Sequence, residues 1–349
     1  MKFALTRSLS ALFCCAVLAV AAAEPRLAPA RLVRVESSLD GSLCPCWFYA
    51  PETGGKEVPL VVALHTWSQD WRQLKHYRTV LDFAVRNGWA MVGPDCRGPN
   101  VRPEACGSDL AVIDIVDAVE YAQANARIDA ARIYIVGGSG GGHLALLAAG
   151  RHPEIFAACA AFCPITDLAR WHSESLANHP GRDAKYAAML EQVCGGVPEV
   201  APREYARRSP LAWLGRVRKA GMPVYVATGI HDGWRGSVPV GHAIRAYNAL
   251  AAKEDAVSEA DIAFIEANQE TPSSLAPNGD VRPFDPFYGD NLKIHFRKTS
   301  GNVRLTLFEG GHACNYPAGF DFLKRQRKGK AADWRLPDAG KGETEELGK

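Results

Sequence analysis

The chain has 349 residues, of which 47 % are hydrophobic and 22 % charged, an ordinary globular balance that excludes fibrous, collagenous and wholly disordered classes. With 40 Lys and Arg against 38 Asp and Glu the formal charge is +2, too small and too evenly spread for a nucleic-acid or anionic-membrane surface. Length alone allows one large α/β unit or two smaller domains.

The first element is a leader. Lys2 and Arg7 precede an apolar run from Leu9 to Ala23, which closes on Ala21-Ala22-Ala23 before Glu24. That order is a secretory signal peptide cleaved after Ala23, and the alternative is an uncleaved anchor. The run is about 15 residues, short of the roughly 20 that span a bilayer, so no stable membrane insertion is expected after cleavage. A secreted or periplasmic protein follows, with 38 basic and 38 acidic residues once Lys2 and Arg7 are gone.

Beyond the leader, β-branched runs alternate with amphipathic stretches. Residues 32–36 and 46–49 read as edge strands; residues 60–65, 89–93, 133–137, 157–162, 224–229 and 303–308 read as buried ones. Helical spacing recurs over 71–87, 109–125, 141–151, 183–193, 239–252 and about 317–327. The alternation predicts an α/β fold, a mostly parallel central sheet with helices on both faces and ligands at the carboxyl ends of the strands. Residues 24–323 form this unit. Residues 253–290, polar and rich in Pro, interrupt it as an insertion that could serve as a lid. Residues 324–349, of mixed charge, read as a loose tail.

Export makes the cysteines informative. Cys14 and Cys15 leave with the leader, and eight remain, an even number that favours disulfides. Cys96 and Cys106 flank a short Pro- and Gly-containing loop and are the expected pair. Zinc is the alternative, but Cys44-Pro-Cys46 and Cys159-x-x-x-Cys163 lack the spacing of a zinc site.

The chemistry is concentrated after residues 133–137. Gly137-Gly138-Ser139-Gly140-Gly141 fits G-x-S-x-G between a strand and a helix, where a strained turn lifts a serine hydroxyl clear of the sheet. A plain Gly-rich turn is the bland alternative. A phosphate loop is disfavoured, because no Lys follows. A serine nucleophile needs a base and an orienting carboxylate at the same sheet edge. Asp232 follows the run 224–229 and His312 follows 303–308, giving the order Ser139, Asp232, His312.

On these residues the chain resembles the α/β-hydrolase superfamily and, within it, the catalytic domain of the prolyl oligopeptidase (S9) family and related secreted esterases. The matching features are Asp95-x-Arg97-Gly98, Asp129-x-x-Arg132-Ile133, the serine motif, Pro164-x-x-Asp167, Gly229-x-x-Asp232 with Val238-Pro239, Tyr247-x-x-Leu250, and Gly310-Gly311-His312. The departures are that Gly140 stands where many of those peptidases carry Tyr, that the strand-end motif reads His65-Thr66-Trp67-Ser68, and that no propeller fits before residue 60.

The resemblance and the chemistry imply the same roles. Ser139 attacks a carbonyl, His312 moves the proton and Asp232 fixes the imidazole. The oxyanion is met by the backbone N–H of Gly140 and that of Trp67, with Thr66 the alternative to Trp67. Trp71, Trp171 and Trp234 are candidates to line the substrate cleft, and core packing is the competing reading for each. His65, His143, His231, Asp114, Asp117 and Asp167 read as structural. The expected activity is carboxylic-ester hydrolysis, including acyl groups on polysaccharide. Its alternatives are a serine peptidase of the prolyl oligopeptidase type and a non-catalytic binding protein on the same fold. The expected partners are a small-molecule or polysaccharide-linked ester, or a peptide; no nucleic acid, metal or organic cofactor is implied.

Overall fold

A computed structural model describes residues 26–177, 179–275, 285–289 and 292–336. The leader predicted for 1–23 and the end of the predicted tail, 337–349, lie outside the described residues.

Among the described residues nine strands form one sheet: β1 (Arg31–Glu36), β2 (Leu43–Tyr49), β3 (Val58–Leu64), β4 (Ala90–Pro94), β5 (Ile128–Gly138), β6 (Ala158–Phe162), β7 (Val224–Gly229), β8 (Ile294–Ser300) and β9 (Val303–Phe308). Their order is β1-β2-β4-β3-β5-β6-β7-β9-β8. From β4 to β9 every pairing is parallel; the edge pairings β1–β2, β2–β4 and β8–β9 are antiparallel. This is the mostly parallel sheet, covered by helices on both faces, that the alternation predicts. All seven residues of β3 (VPLVVAL) are buried, the mark of a strand covered on both faces.

Among the described residues ten helices accompany the sheet: α1 (Leu74–Asn87), α2 (Asp109–Asn125), α3 (Gly140–Arg151), α4 (Leu168–Leu176), α5 (Lys185–Cys194), α6 (Pro202–Arg208), α7 (Leu214–Ala220), α8 (Gly241–Leu250), α9 (Glu259–Asn268) and α10 (Tyr316–Arg325). α2, α3, α7 and α8 pack through Ile115, Leu146, Val217 and Ile244 on one face. α1 and α10 cover the other through Tyr77, Val80, Phe320 and Leu323. A third cluster, with Trp67, Ile165, Leu168, Trp171, Leu190 and Val238, joins α4 and α5 to the loops after β3, β6 and β7, beside the carboxyl ends of the strands.

The structure adds to or departs from the sequence expectation in several places. β8 was not anticipated: its register shifts between Ile294 and Phe296, which breaks the period-two pattern. The chain after Lys324 is not loose up to Leu336. Tyr134 donates to the carbonyl of Gln326 at 2.7 Å, Gln326 Nε2 donates to that of Asp333 at 2.9 Å, and Trp334 stacks on Phe322 with ring centroids 4.8 Å apart.

The insertion also has fixed neighbours. Arg245 on α8 pairs with Glu259 and Glu266 of α9, and Trp234 Nε1 donates to the Glu266 carbonyl at 2.7 Å. Its described first half therefore braces the flank of the Asp232 loop.

Finally, Cys96 and Cys106 are both free thiols, each wholly buried in a different cluster. Their loop is closed by other means. Arg208 donates to the carbonyls of Pro103, Ala105 and Cys106, and Arg97 grips Asp40 and Asp114.

Candidate active site

Ser139 lies between β5 and α3 at φ 57° and ψ −123°, a strained backbone for a residue with a side chain. Its N–H donates to the carbonyl of Phe162 on β6 at 2.9 Å, which fixes the turn to the sheet. The strand can meet the helix only because both flanking positions lack a Cβ: one on Gly137 would strike the Gly141 backbone, and one on Gly141 would strike the carbonyl of Leu64.

The structure brings His312 and Asp232 together. His312 Nδ1 lies 2.8 Å from Asp232 Oδ2. The carboxylate is fully enclosed while the imidazole is 24 % exposed, so one end of the pair is anchored and the other faces outward. Thr228 Oγ1 donates to Asp232 Oδ2 at 3.2 Å, and the N–H groups of Gly233 and Val238 donate to Oδ1 at 3.0 and 3.4 Å. Burial pushes the His312 pKa down; the charge and hydrogen bond of Asp232 more than offset this, and the net shift is upward.

The candidate oxyanion donors are distinguished by their hydrogen bonds. Thr66 N–H is already given to Gln73 Oε1 at 3.0 Å, and Gln73 Nε2 in turn holds Thr66 Oγ1 at 2.9 Å. Trp67 N–H makes no hydrogen bond among the described residues. Gly140 opens α3, where an N–H has no acceptor within its helix. A Cβ on Gly140 would stand 2.5 Å from Trp67 N, so the two N–H groups border one recess, and Tyr could not occupy this position without moving Trp67.

The tryptophans divide. Trp67 (4 % exposed) packs edge-on against Trp171 (1 %), with ring centroids 4.8 Å apart, so Trp171 is a filled wall and not a cleft lining. Trp71 lies in the opposite core against Trp47, with its N–H given to Asp95 Oδ1. Trp234, on the Asp232 loop, packs edge-to-face against His179 and remains partly exposed.

The competing histidines are spoken for. His143 Nε2 is 2.7 Å from the Arg208 carbonyl, and burial lowers its pKa to about 4. Both ring nitrogens of His65 meet backbone carbonyls, those of Thr66 and Asp95. His231 turns away from the site to Gln269 and Glu309. Asp114 takes Arg97, Asp117 takes the N–H of Ser38, and Asp167 caps α4.

Sequence reasoning passed over Gln73, because an uncharged side chain in a predicted helix carries no chemical signal. It also passed over Cys163 and Cys314, whose meeting beside Asp232 and His312 depends on two distant loops.

Residues 108–264 match the prolyl oligopeptidase family, a stretch that contains Ser139 and Asp232. Among solved structures, a puromycin hydrolase is 20 % identical with a TM-score of 0.52, over 64 % of this chain and 33 % of its own. A Mycobacterium tuberculosis puromycin-hydrolyzing peptidase is 22 % identical with a TM-score of 0.51, over 65 % and 34 %. An acylaminoacyl peptidase, solved with Z-Gly-Gly-Phe-chloromethyl ketone, is 18 % identical with a TM-score of 0.50, over 63 % and 34 %. The chain thus spans about a third of the length of these structures, and the likeness is one of fold.

Proposed function

We infer that this serine hydrolase, an α/β-hydrolase resembling the prolyl oligopeptidase family, cleaves the acyl–nitrogen bond of short peptides or small acyl amides through an acyl-enzyme. The observation that carries the reading is the 2.8 Å contact of His312 Nδ1 with an enclosed Asp232, at the same sheet edge as the strained Ser139. Ser139 Oγ attacks the carbonyl as His312 Nε2 accepts its proton, and the resulting oxyanion is met by the N–H groups of Gly140 and Trp67. His312 then returns the proton to the leaving amine, and water repeats the sequence on the acyl-enzyme. The amide preference is supported by the family match over 108–264.

Ester hydrolysis is the second reading, including small acyl groups on polysaccharide or on a small molecule. It is favoured by the sequence's departures from the peptidases, Gly140 where many of them carry Tyr and His65-Thr66-Trp67-Ser68 at the strand end. Peptidyl anilides assayed beside p-nitrophenyl esters of graded acyl length decide between the two. Turnover of anilides that disappears in Ser139→Ala supports the peptidase; turnover of short esters alone supports the esterase. Failure of Ser139 to react with a fluorophosphonate would instead favour a binding protein on this fold. Secretion rests on residues 1–23, and a mature protein recovered from medium or periplasm should begin at Glu24.

A further inference from the structure

Two thiols meet behind the triad. Cys163, at the end of β6, and Cys314, two residues beyond His312, are 151 positions apart, and their Sγ atoms lie 3.8 Å from one another. Cys163 is buried, sits at φ 37° and is tied by its N–H to the carbonyl of Ala227 at 2.8 Å. Cys314 is partly exposed, whereas the other seven cysteines among the described residues are buried. Its Sγ occupies the space that a Cβ on Gly138 would need, directly against the serine turn. Cys163 Sγ, a carboxylate oxygen of Asp232 and a ring nitrogen of His312 lie within 4.8 Å of one another. The pair therefore touches both the loop that presents Ser139 and the couple that activates it.

We propose that Cys163 and Cys314 form a reversible dithiol–disulfide site, oxidised by a small-molecule disulfide such as glutathione disulfide, and that the cross-link slows catalysis. The accessible Cys314 thiolate attacks one sulfur of the oxidant and expels one thiolate, leaving a mixed disulfide. Cys163 gives up its proton, attacks the Cys314 sulfur and expels the second thiolate. Two protein thiols are oxidised, one small disulfide is reduced to two thiols, and the two protons end on those products. The order follows from the surroundings: the hydrogen bond from Cys163 and the charge of His312 hold Cys314 below the usual thiol range, while Cys163 is pushed up.

A disulfide bond is about 2.05 Å long, so the sulfurs must close by roughly 1.8 Å. Cys163 is anchored in the sheet, and the movement falls on the loop that carries His312. A misplacement of about 1 Å in a catalytic group costs on the order of 10²-fold in rate.

The test uses the full mature chain in glutathione buffers of graded redox poise, with peptide mapping after alkylation and the rate of fluorophosphonate labelling of Ser139 as readouts. The expected result is a Cys163–Cys314 peptide whose appearance tracks a fall in labelling of about 10- to 100-fold, reversed by dithiothreitol. Cys314→Ser and, independently, Cys163→Ala should label at the reduced wild-type rate and lose the dependence on redox poise. The proposal is overturned if both thiols stay free, if the bond forms with labelling unchanged, or if either folded variant keeps the dependence. The inference about rate rests on the triad reading, but the peptide map does not. A reduced protein that fails to label while still forming the cross-link would count against the triad reading alone.

Discussion

The two halves of the site are built by different means. The serine turn is a backbone construction: Gly137, Gly140 and Gly141 let β5, α3 and the Trp67 loop approach to distances that no side chain would permit. The acid–base half is a side-chain construction, with Asp232 collecting Thr228, Gly233, Val238 and His312 from two loops, while Trp234 and His231 lean on the insertion. A backbone construction should fail through steric overlap and a side-chain construction through lost donors, and substitutions in each half should differ accordingly.

The largest effect belongs to the group both halves serve. Ser139→Ala should lower kcat by several orders of magnitude with the fold unchanged, measured on whichever anilide or ester the wild type turns over. Near-normal turnover would remove Ser139 from the mechanism.

Asp232→Asn comes next, with a loss of about 10⁴-fold by analogy with the serine-protease triad, where the change leaves the imidazole in the wrong tautomer. It carries a pH signature. Asp232 raises the His312 pKa, so the wild-type acid limb of kcat/KM should lie above about 6.5, the ordinary histidine value, because the base must be neutral to accept a proton. Removing the charge should move the limb to lower pH. For stability the sign is opposite: a raised histidine pKa stabilises the fold below its unfolded value, and that contribution is lost as pH rises through the folded value. An acid limb unmoved in the variant would show that another group sets it.

Gly140→Ala tests the backbone half. The added methyl meets Trp67 N and Cα at 2.5 Å, so the recess must open and both oxyanion donors lose alignment. A loss of about 10²–10³-fold in kcat with little change in KM is expected, the scale of one missing oxyanion donor. An unchanged kcat would mean that the oxyanion is held elsewhere.

Trp234→Phe should have the smallest effect. It deletes one hydrogen bond to the insertion, worth about 1 kcal/mol, and should lower Tm while kcat stays within about twofold. A large kcat loss at unchanged Tm would turn the brace into a direct participant.

The same division explains what could be read in advance. The serine motif, the alternating elements and the order Ser139, Asp232, His312 are local patterns. They specify the sheet, the turn and the loops that carry these three residues. The choice between Thr66 and Trp67 turned on Gln73, a contact seven residues away that leaves no trace in spacing. The thiols show the point most clearly. Cys96 and Cys106 are near in sequence yet buried in separate clusters, whereas Cys163 and Cys314 are far apart in sequence and nearly touch. Likewise α4, α6 and α7, at seven to nine residues, are too short for helical periodicity to declare itself.

The hold of Gln326 on Tyr134 has a consequence for synthesis. β5 lies at the centre of the sheet, yet the hydroxyl on its Tyr134 finds its acceptor 192 residues later. A chain emerging from the ribosome can assemble β3, β4 and β5 early. α1 can cover part of that face at once, but the rest waits until α10 and the segment after it have left the tunnel. Until then part of the apolar side of a parallel sheet stays uncovered, the kind of surface on which nascent chains associate and chaperones act.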